Sequence, residues 1–317
     1  MEQAEEQLAE RAQASASPMI ANLIKSLGQA IVYYPDAGNL DTNRKLWDAY
    51  ASEWSQDASW VQDMARGSRP GDGGPSATAA GAEPGSAGAA SDREGGASAA
   101  AGIALERVGE EWSTSDELMQ VVREFILPYL NPDSRAAELG CGGGRVAVQV
   151  YPHVSNLDCY DISPQMLTRC AAALKAAGAR NATLQLLTAP ALPAAAADSY
   201  DFLYCFDVLV HVDLHVSWRY LREVRRCLTE RGRAFLSFAS VCSRLGWERF
   251  ARQSKFTVGG FYFMCPEMVR FIVAKAGLRI VREGPPEGTT DNVYYNRDFL
   301  IVVEKDSNWV NGDGDES

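Results

Sequence analysis

The chain has 317 residues and a formal net charge of −11, and both figures depend on where they are placed. Of the 35 residues from Ser68 to Gly102, 28 are Gly, Ala, Ser or Pro and none is Leu, Ile, Val, Met or aromatic, so residues 68–102 build no core and are expected to be a disordered insert. The charge is concentrated in residues 1–11 (−3), in the insert (−2) and in an acidic tail at residues 306–317 (−4), which leaves −2 on the rest and disfavours a nucleic-acid partner. No apolar run reaches the roughly eighteen residues of a membrane span, and the start Met1-Glu2-Gln3-Ala4-Glu5-Glu6 has neither a basic leader nor an Arg-rich face, so no membrane is expected and a cytoplasmic location is the default. The seven cysteines are odd in number and form no C-x-x-C pair, so they read as reduced thiols. His211 and His215 have no cysteine or third histidine beside them, so no metal site is expected.

Ser17-Pro18 is a helix start, followed by an apolar stripe of Ile20, Leu23, Ile24, Leu27 and Ile31. A second helix is predicted to carry Leu46, Trp47, Tyr50 and Trp54. Together they make residues 1–67 an N-terminal helical cap, which either packs on the main domain or closes over a site as a lid. After the insert come Gly109-Glu110-Glu111-Trp112 and an amphipathic helix from Ser115 to Tyr129. From Arg135 onward short apolar runs alternate with helical patterns, the mark of β-α-β units in a parallel sheet. Strands are predicted at Ala136–Leu139, Leu157–Asp161, Thr183–Leu187, Phe202–Phe206, Ala234–Phe238, Leu278–Arg282 and Asp298–Val303, with helices at Pro164–Ala177, Leu214–Leu228 and Pro266–Ala276. The last two strands are joined by a long loop without a helix, which suits an antiparallel pair at the sheet's edge. The fold class is α/β, a seven-stranded, mostly parallel sheet over residues 103–305.

The strongest chemical signal is Glu138-Leu139-Gly140-Cys141-Gly142-Gly143-Gly144-Arg145, where the first strand turns into a helix. Glycines there let backbone approach a ligand closely; a tight turn with no ligand is the plainer alternative. The dinucleotide fingerprint needs a glycine or alanine where Arg145 stands, and Glu138, two residues before the first glycine, repels a pyrophosphate but suits a cationic amine. Asp161, nineteen residues after Gly142 at the end of the second strand, can accept both hydroxyl hydrogens of a ribose. The ligand these residues describe is a nucleoside with a positive tail.

At this point the sequence resembles the class I S-adenosylmethionine-dependent methyltransferases. The resemblance rests on Glu138-x-Gly140-x-Gly142-x-Gly144, on Asp161-Ile162-Ser163-Pro164-Gln165-Met166, on Asp198-Ser199-Tyr200-Asp201-Phe202, on Phe206-Asp207-Val208-Leu209-Val210-His211, and on Leu228-Thr229-Glu230-Arg231-Gly232, in this order over about residues 112–305. Leu46-Trp47-Asp48-Ala49-Tyr50 is similar to N-terminal caps of some members. The resemblance implies a Rossmann-like sheet whose last strand is antiparallel, S-adenosylmethionine as cofactor, and methyl transfer to an acceptor by in-line displacement at the methyl carbon. It also implies that Gly140, Cys141, Gly142 and Gly144 run beside the methionine part, with Glu138, Met166 and Phe206 close by. Asp161 would hold the ribose, Ile162 would touch the adenine, and Ala189 and Leu192 would flank it. Members commonly place an acidic residue after the third strand, and Thr188-Ala189-Pro190 supplies none.

For the acceptor, the residues after the fourth strand lack the Asn/Asp-Pro-Pro-aromatic and Pro-Cys patterns of nucleic-acid methylating members, and Ala239-Ser240 replaces the Asp-Asn pair of magnesium-dependent catechol members. A small-molecule substrate is the expectation. His211, with Asp207 beside it in sequence, can take a proton or merely cap a turn. Arg249 and Arg252, with Tyr262, can hold an anionic group; a solvated helix face is the alternative. Two other functions stay open on sequence alone: a cofactor-binding regulatory or scaffold protein without turnover, and a nicotinamide-dependent oxidoreductase. The sequence does not address the oligomeric state.

Overall fold

The computed structural model describes residues 39–68, 103–254 and 256–309, all within a unit that starts at Asn39. The predicted helix after Ser17, nearly all of the Gly/Ala-rich insert, and the acidic tail beyond Trp309 lie outside the described residues. The chain enters through α1 (Leu40–Glu53) and α2 (Ser59–Ser68). Next comes α3 (Ser115–Val121), opened by a complete capping box: the Glu117 carboxylate accepts from the Thr114 N–H at 2.9 Å, and Thr114 Oγ1 accepts from the Glu117 N–H at 3.2 Å. Such a cap stabilises the helix by about 1 kcal/mol. The helical path continues through a π turn, Val122–Ile126, and a 3-10 turn, Leu127–Tyr129, where Pro128 ends it.

From there strands and helices alternate: β1 (Arg135–Leu139), α4 (Ala147–Val150), β2 (Asn156–Asp161), α5 (Pro164–Ala176), β3 (Ala182–Leu186), β4 (Tyr200–Cys205), α6 (Leu214–Cys227) and β5 (Leu228–Ser240). The start of α5 is set locally, because Ser163 Oγ accepts from the Met166 N–H at 3.1 Å and Pro164 fills the first helical position. Asp213 does the same for α6, accepting from the Val216 N–H at 2.9 Å. The chain closes with α7 (Arg244–Arg252), β6 (Phe263–Met264), α8 (Pro266–Lys275), β7 (Leu278–Glu283), α9 (Val293–Arg297) and β8 (Asp298–Lys305).

The sheet runs β3-β2-β1-β4-β5-β8-β7, with β1 to β5 parallel and β8 antiparallel to both of its neighbours. This is the Rossmann-like arrangement with a reversed last strand. Three details differ from the sequence reading. The β7–β8 connection contains a helix, α9. The fifth strand begins six residues before Ala234, because polar Thr229–Arg233 continue the strand past an irregularity in the β4–β5 register between Tyr200 and Phe202. A two-residue strand, β6, pairs with the end of β5. The main core, including Leu157, Phe202, Tyr204, Phe235 and Val302, fills the space under the helices. Strand order reverses between β1 and β4, and in such sheets the crevice for a ligand opens beyond the carboxyl ends of those two strands. Among the described residues no helix is long and apolar enough to cross a membrane.

Candidate active site

A cavity with about 1130 Å³ of empty space, mouth included, opens at that crevice. Its floor is the glycine-rich turn after β1. Gly140 has a φ of +77°, and a Cβ there would lie 2.4 Å from Val208 Cγ2, so only glycine lets this turn pack against the β4 connection. Gly142 has nothing within 4 Å of the place a Cβ would take, and its N–H donates to Asp161 Oδ2 at 2.8 Å. The Ser163 N–H donates to the other oxygen of Asp161 at 2.9 Å. Burial pushes the Asp161 carboxyl up to about 6, although the Ser163 and Gly142 N–H groups pull against it. Glu138 is 4% exposed and accepts a hydrogen bond from the Tyr204 hydroxyl at 3.1 Å. Burial, with Cys170 and Asp161 nearby, drives its carboxyl well above the ordinary carboxylate range. Two buried acids thus stand at the ends of adjacent strands.

The turn after β4 forms the opposite wall. Asp207, in the left-handed region at φ 59°, is fixed there by its N–H to Ser237 Oγ at 2.8 Å and by Arg297 Nη2 on Oδ1 at 2.6 Å. Arg297 is buried and also grips Asp298 through Nε (2.8 Å) and Nη2 (2.6 Å). Burial works against the charge on Asp207, yet Arg297, His211, Arg145 and Arg249 outweigh it and hold its carboxyl below the ordinary value.

His211 Nδ1 is 2.9 Å from the Gly260 carbonyl oxygen. A carbonyl can only accept, so Nδ1 carries the proton of the neutral ring and Nε2 keeps its lone pair. Burial lowers the imidazole to about 4, against the opposing pull of Asp207, so the ring is neutral at pH 7. Trp47 and Phe261 meet it edge-on, with ring centroids 4.9 and 5.1 Å away.

Helix α1 roofs the cavity with Leu40, Asn43 and Trp47, and polar side chains stitch it down. The Asn39 and Asn43 amides donate to the His211 carbonyl at 3.1 and 2.9 Å. Arg44 donates to the carbonyls of Ile162 and Thr188 at 3.2 and 3.1 Å. Asp48 accepts from Ser163 Oγ at 2.6 Å and from the Gln165 N–H at 3.0 Å. The segment read as either packing or lid packs on α5 and lines the cavity. Asp48→Ala should therefore cost about 1 kcal/mol of stability, the usual net worth of a hydrogen bond, because Ser163 Oγ loses a part-buried acceptor while the Gln165 N–H stays open to water, read as a lower midpoint in chemical denaturation.

Of the residues singled out in sequence, Glu138, Gly140, Cys141, Gly142, Asp161, Ile162, Met166, Phe206, Asp207 and His211 line this one cavity. Gly144 instead packs against α5, where a Cβ would sit 3.0 Å from Cys170 Sγ. Ala189 is exposed and Leu192 is buried with its N–H on Glu223 at 2.6 Å; the wall after β3 is Leu187. Arg249 donates to the Gly259 carbonyl at 2.5 Å and lies 3.8 Å over the Phe261 ring, behind the lining. Arg252 pairs with Glu248 at 3.0 Å. Tyr262 donates its N–H to the Val210 carbonyl at 2.7 Å and meets the Phe256 ring at a tilt, centroids 4.8 Å apart. Neither Arg252 nor Tyr262 is among the lining residues.

Polar and aromatic lining residues that sequence reasoning did not assign include Asn43, Trp112, Arg145 and Arg297. Arg145 crosses to the N-terminal side, donating to the Gly109 carbonyl, the Tyr294 hydroxyl and Ser113 Oγ, the last at 3.1 Å. A signal existed for Arg297, since Arg297-Asp298 is a charged pair directly before the apolar run Phe299–Val303.

Residues 136–232 match the family model described as a methyltransferase domain. No curated protein matches the chain in sequence. Among solved structures the chain is similar to a Pyrococcus horikoshii OT3 protein (18% identity over 60% of this chain and 90% of that one, TM-score 0.49). It is also similar to the magnesium protoporphyrin IX methyltransferase of Synechocystis with bound S-adenosylhomocysteine (19%, 60% and 80%, 0.45). A third is an S-adenosylmethionine-dependent methyltransferase of Clostridium acetobutylicum (14%, 60% and 89%, 0.46). The family match starts inside β1, takes in the glycine turn, Asp161 and His211, and ends within β5, so over residues 136–232 the chain resembles methyltransferase domains on the strands whose ends build the cavity.

Proposed function

We propose that the acceptor is a small molecule bound between His211, Phe261 and the α1 roof, and that His211 Nε2 takes the proton of the attacking group. The observation that carries this reading is the Nδ1 bond to the Gly260 carbonyl, which presets the one neutral tautomer whose Nε2 can accept. Asp207, kept ionised by Arg297, lends that nitrogen basicity that burial removes. S-adenosylmethionine supplies an activated methyl group, so the protein's own contribution is orientation and exclusion of water, worth about 7–11 kcal/mol at best. Trp47 and Trp112 on the cavity wall serve that exclusion. On the cofactor side, Glu138 is assigned to the ammonium, whose charge would relieve the buried acid, and Asp161 to the ribose hydroxyls. Gly140, Cys141 and Gly142 are assigned to the methionine part, and Ile162, Met166, Phe206 and Leu187 to the apolar contacts. The residues present fit that cofactor: two buried acids face a cavity otherwise lined largely by apolar side chains and glycine backbone.

Incubation with methyl-labelled S-adenosylmethionine and a fractionated metabolite extract tests the acceptor class. Label should move into a low-mass product, whereas label confined to protein or nucleic acid would overturn the small-molecule reading. A second expectation concerns pH. Asp161 titrates near 6 in the free protein, and a bound ligand that donates hydrogen bonds to the carboxylate lowers that value, so binding expels a proton below pH 6. Asp161 should therefore make affinity for S-adenosylhomocysteine rise from pH 5 to about 6.5, by at most about tenfold per unit for this one proton. Calorimetry in buffers of different ionisation enthalpy reads the released protons, and Asp161→Asn should remove the part of the release that falls between pH 5 and 6.5.

A further inference from the structure

The Gly109-Glu110-Glu111-Trp112 turn buries an acid that the roles assigned above leave unused. Glu111 is fully buried and is not among the residues lining the cavity. One of its oxygens accepts from the Tyr50 hydroxyl, and the other accepts from the Gly109 N–H at 2.9 Å. Each partner leads back to the cavity. Tyr50, buried on α1, meets the rings of Trp47 and Trp112 at 5.7 and 5.9 Å between centroids, and both tryptophans line the cavity. Trp47 in turn meets His211 edge-on. On the other side, the Gly109 carbonyl accepts from Arg145, the residue that follows the glycine turn, and from the Trp112 N–H at 3.2 Å. Gly109 has a φ of +99°, and a Cβ there would sit 3.0 Å from Arg145 Cδ, so this contact needs glycine.

An acid buried among aromatic rings is costly, and an apolar side chain would fill the same space with less loss. What a carboxylate adds is direction: two oxygens on one planar group hold a hydroxyl from α1 and an N–H from the 109–112 turn in a fixed relation. We propose that Glu111 is the positioning residue that ties the α1 roof to the glycine turn: through Tyr50 it sets Trp47 against His211, and through Gly109 it sets Arg145 on the cavity wall. The proposal rests on the reading that the cofactor lies under α1, and it adds the residue that holds the enclosure shut. Glu111 acts on the bound molecules only through the two tryptophans and Arg145. Lifting the roof breaks the Tyr50–Glu111 bond, so loss of that bond speeds the escape of a bound ligand more than it alters entry.

The test follows S-adenosylhomocysteine binding to the full chain by stopped-flow tryptophan fluorescence. Tyr50→Phe, which removes only the hydroxyl, should raise the dissociation rate about tenfold, the worth of one hydrogen bond to a charged group, and change the association rate less than about threefold. Glu111→Ala should raise dissociation at least as much, and Glu111→Gln, which keeps an acceptor oxygen, should recover most of that loss. Tyr50→Phe combined with Glu111→Ala should add little to Glu111→Ala, because both remove one interaction. Val302→Ala, a truncation in the core at a residue that does not line the cavity, reads lost stability alone and should leave both rates as they are. Unchanged dissociation in Tyr50→Phe overturns the proposal, and that variant decides alone if Glu111→Ala does not fold. An equal rise in Val302→Ala also overturns it, since the effect would then be one of stability, and so do fully additive effects in the double variant, which would mean that Tyr50 and Glu111 act apart. Absence of binding in the original protein is a failure of the cofactor reading beneath it; binding with unaltered escape from Tyr50→Phe is a failure of the positioning role alone.

Discussion

Replacing His211 by alanine is expected to lower methyl-transfer turnover by about 10²–10⁴-fold, the usual contribution of a positioned general base, while affinity for S-adenosylhomocysteine stays within about threefold. The split follows from geometry, since His211 sits on the β4 and α1 side of the cavity and Glu138 and Asp161 on the β1 and β2 side. The pH profile carries the sharper signature. The ring titrates near 4, and the proposed role needs its neutral form, so turnover at saturating cofactor should stay level as pH falls from 8 to about 5 and drop only below that. A midpoint near 6.5 would mean that the imidazole behaves as if exposed and would remove the physical basis of the role. Asp207→Asn takes away the charge that raises His211 and should shift that acid limb further down. A proton-accepting role for His211 is contradicted if His211→Ala turns over normally from pH 6 to 9.

The second large effect is on the cofactor. Asp161→Ala should weaken S-adenosylhomocysteine by about 2–4 kcal/mol, the loss of two hydrogen bonds to a charged acceptor, which is about 30- to 1000-fold in Kd. Part of that loss acts through the protein, because the Gly142 and Ser163 N–H groups both end on this carboxylate and are left without it. Asp161→Asn keeps an acceptor oxygen for one of them and should cost less than alanine. Equal and small losses in the two variants, read by calorimetry, would sink the ribose assignment.

The parts of the fold that were legible in the sequence are those fixed by local chemistry. Ser163-Pro164 and Gly178 bound a helix because a hydroxyl cap, a preset φ and a left-handed stop act within a few residues. The glycine turn after β1 is legible because no other residue tolerates Val208 at 2.4 Å. Elements of two to five residues were not: β6 has no period to read, and α9, in Asn292–Arg297, is capped by Asn292 and held by contacts to α3 rather than by propensity. The start of β5 was hidden because Thr229–Gly232 look like a turn and lie in the register irregularity between the Leu228–Tyr200 and Arg233–Phe202 pairs.

The site divides in the same way. Glu138, Asp161 and the glycines follow strand ends and are placed by topology alone. The wall around His211 is tertiary: Asn43 and Trp47 reach it from α1, about 250 residues before Arg297 reaches it from the last strand connection. Arg249 and Arg252 share a helix, yet one lies over Phe261 and the other pairs with Glu248 at the surface. Spacing by three does not decide which face of a helix the fold buries.

The central claim is that the glycine turn, Asp161 and the α1 roof enclose one cofactor. Hydrogen–deuterium exchange with and without saturating S-adenosylhomocysteine tests it directly. Protection is predicted together in residues 138–146, in residues 161–166 and in α1 (Leu40–Glu53), with α8 unchanged. Protection that spares both the glycine turn and α1, or that appears only on α8 and β7, would contradict it.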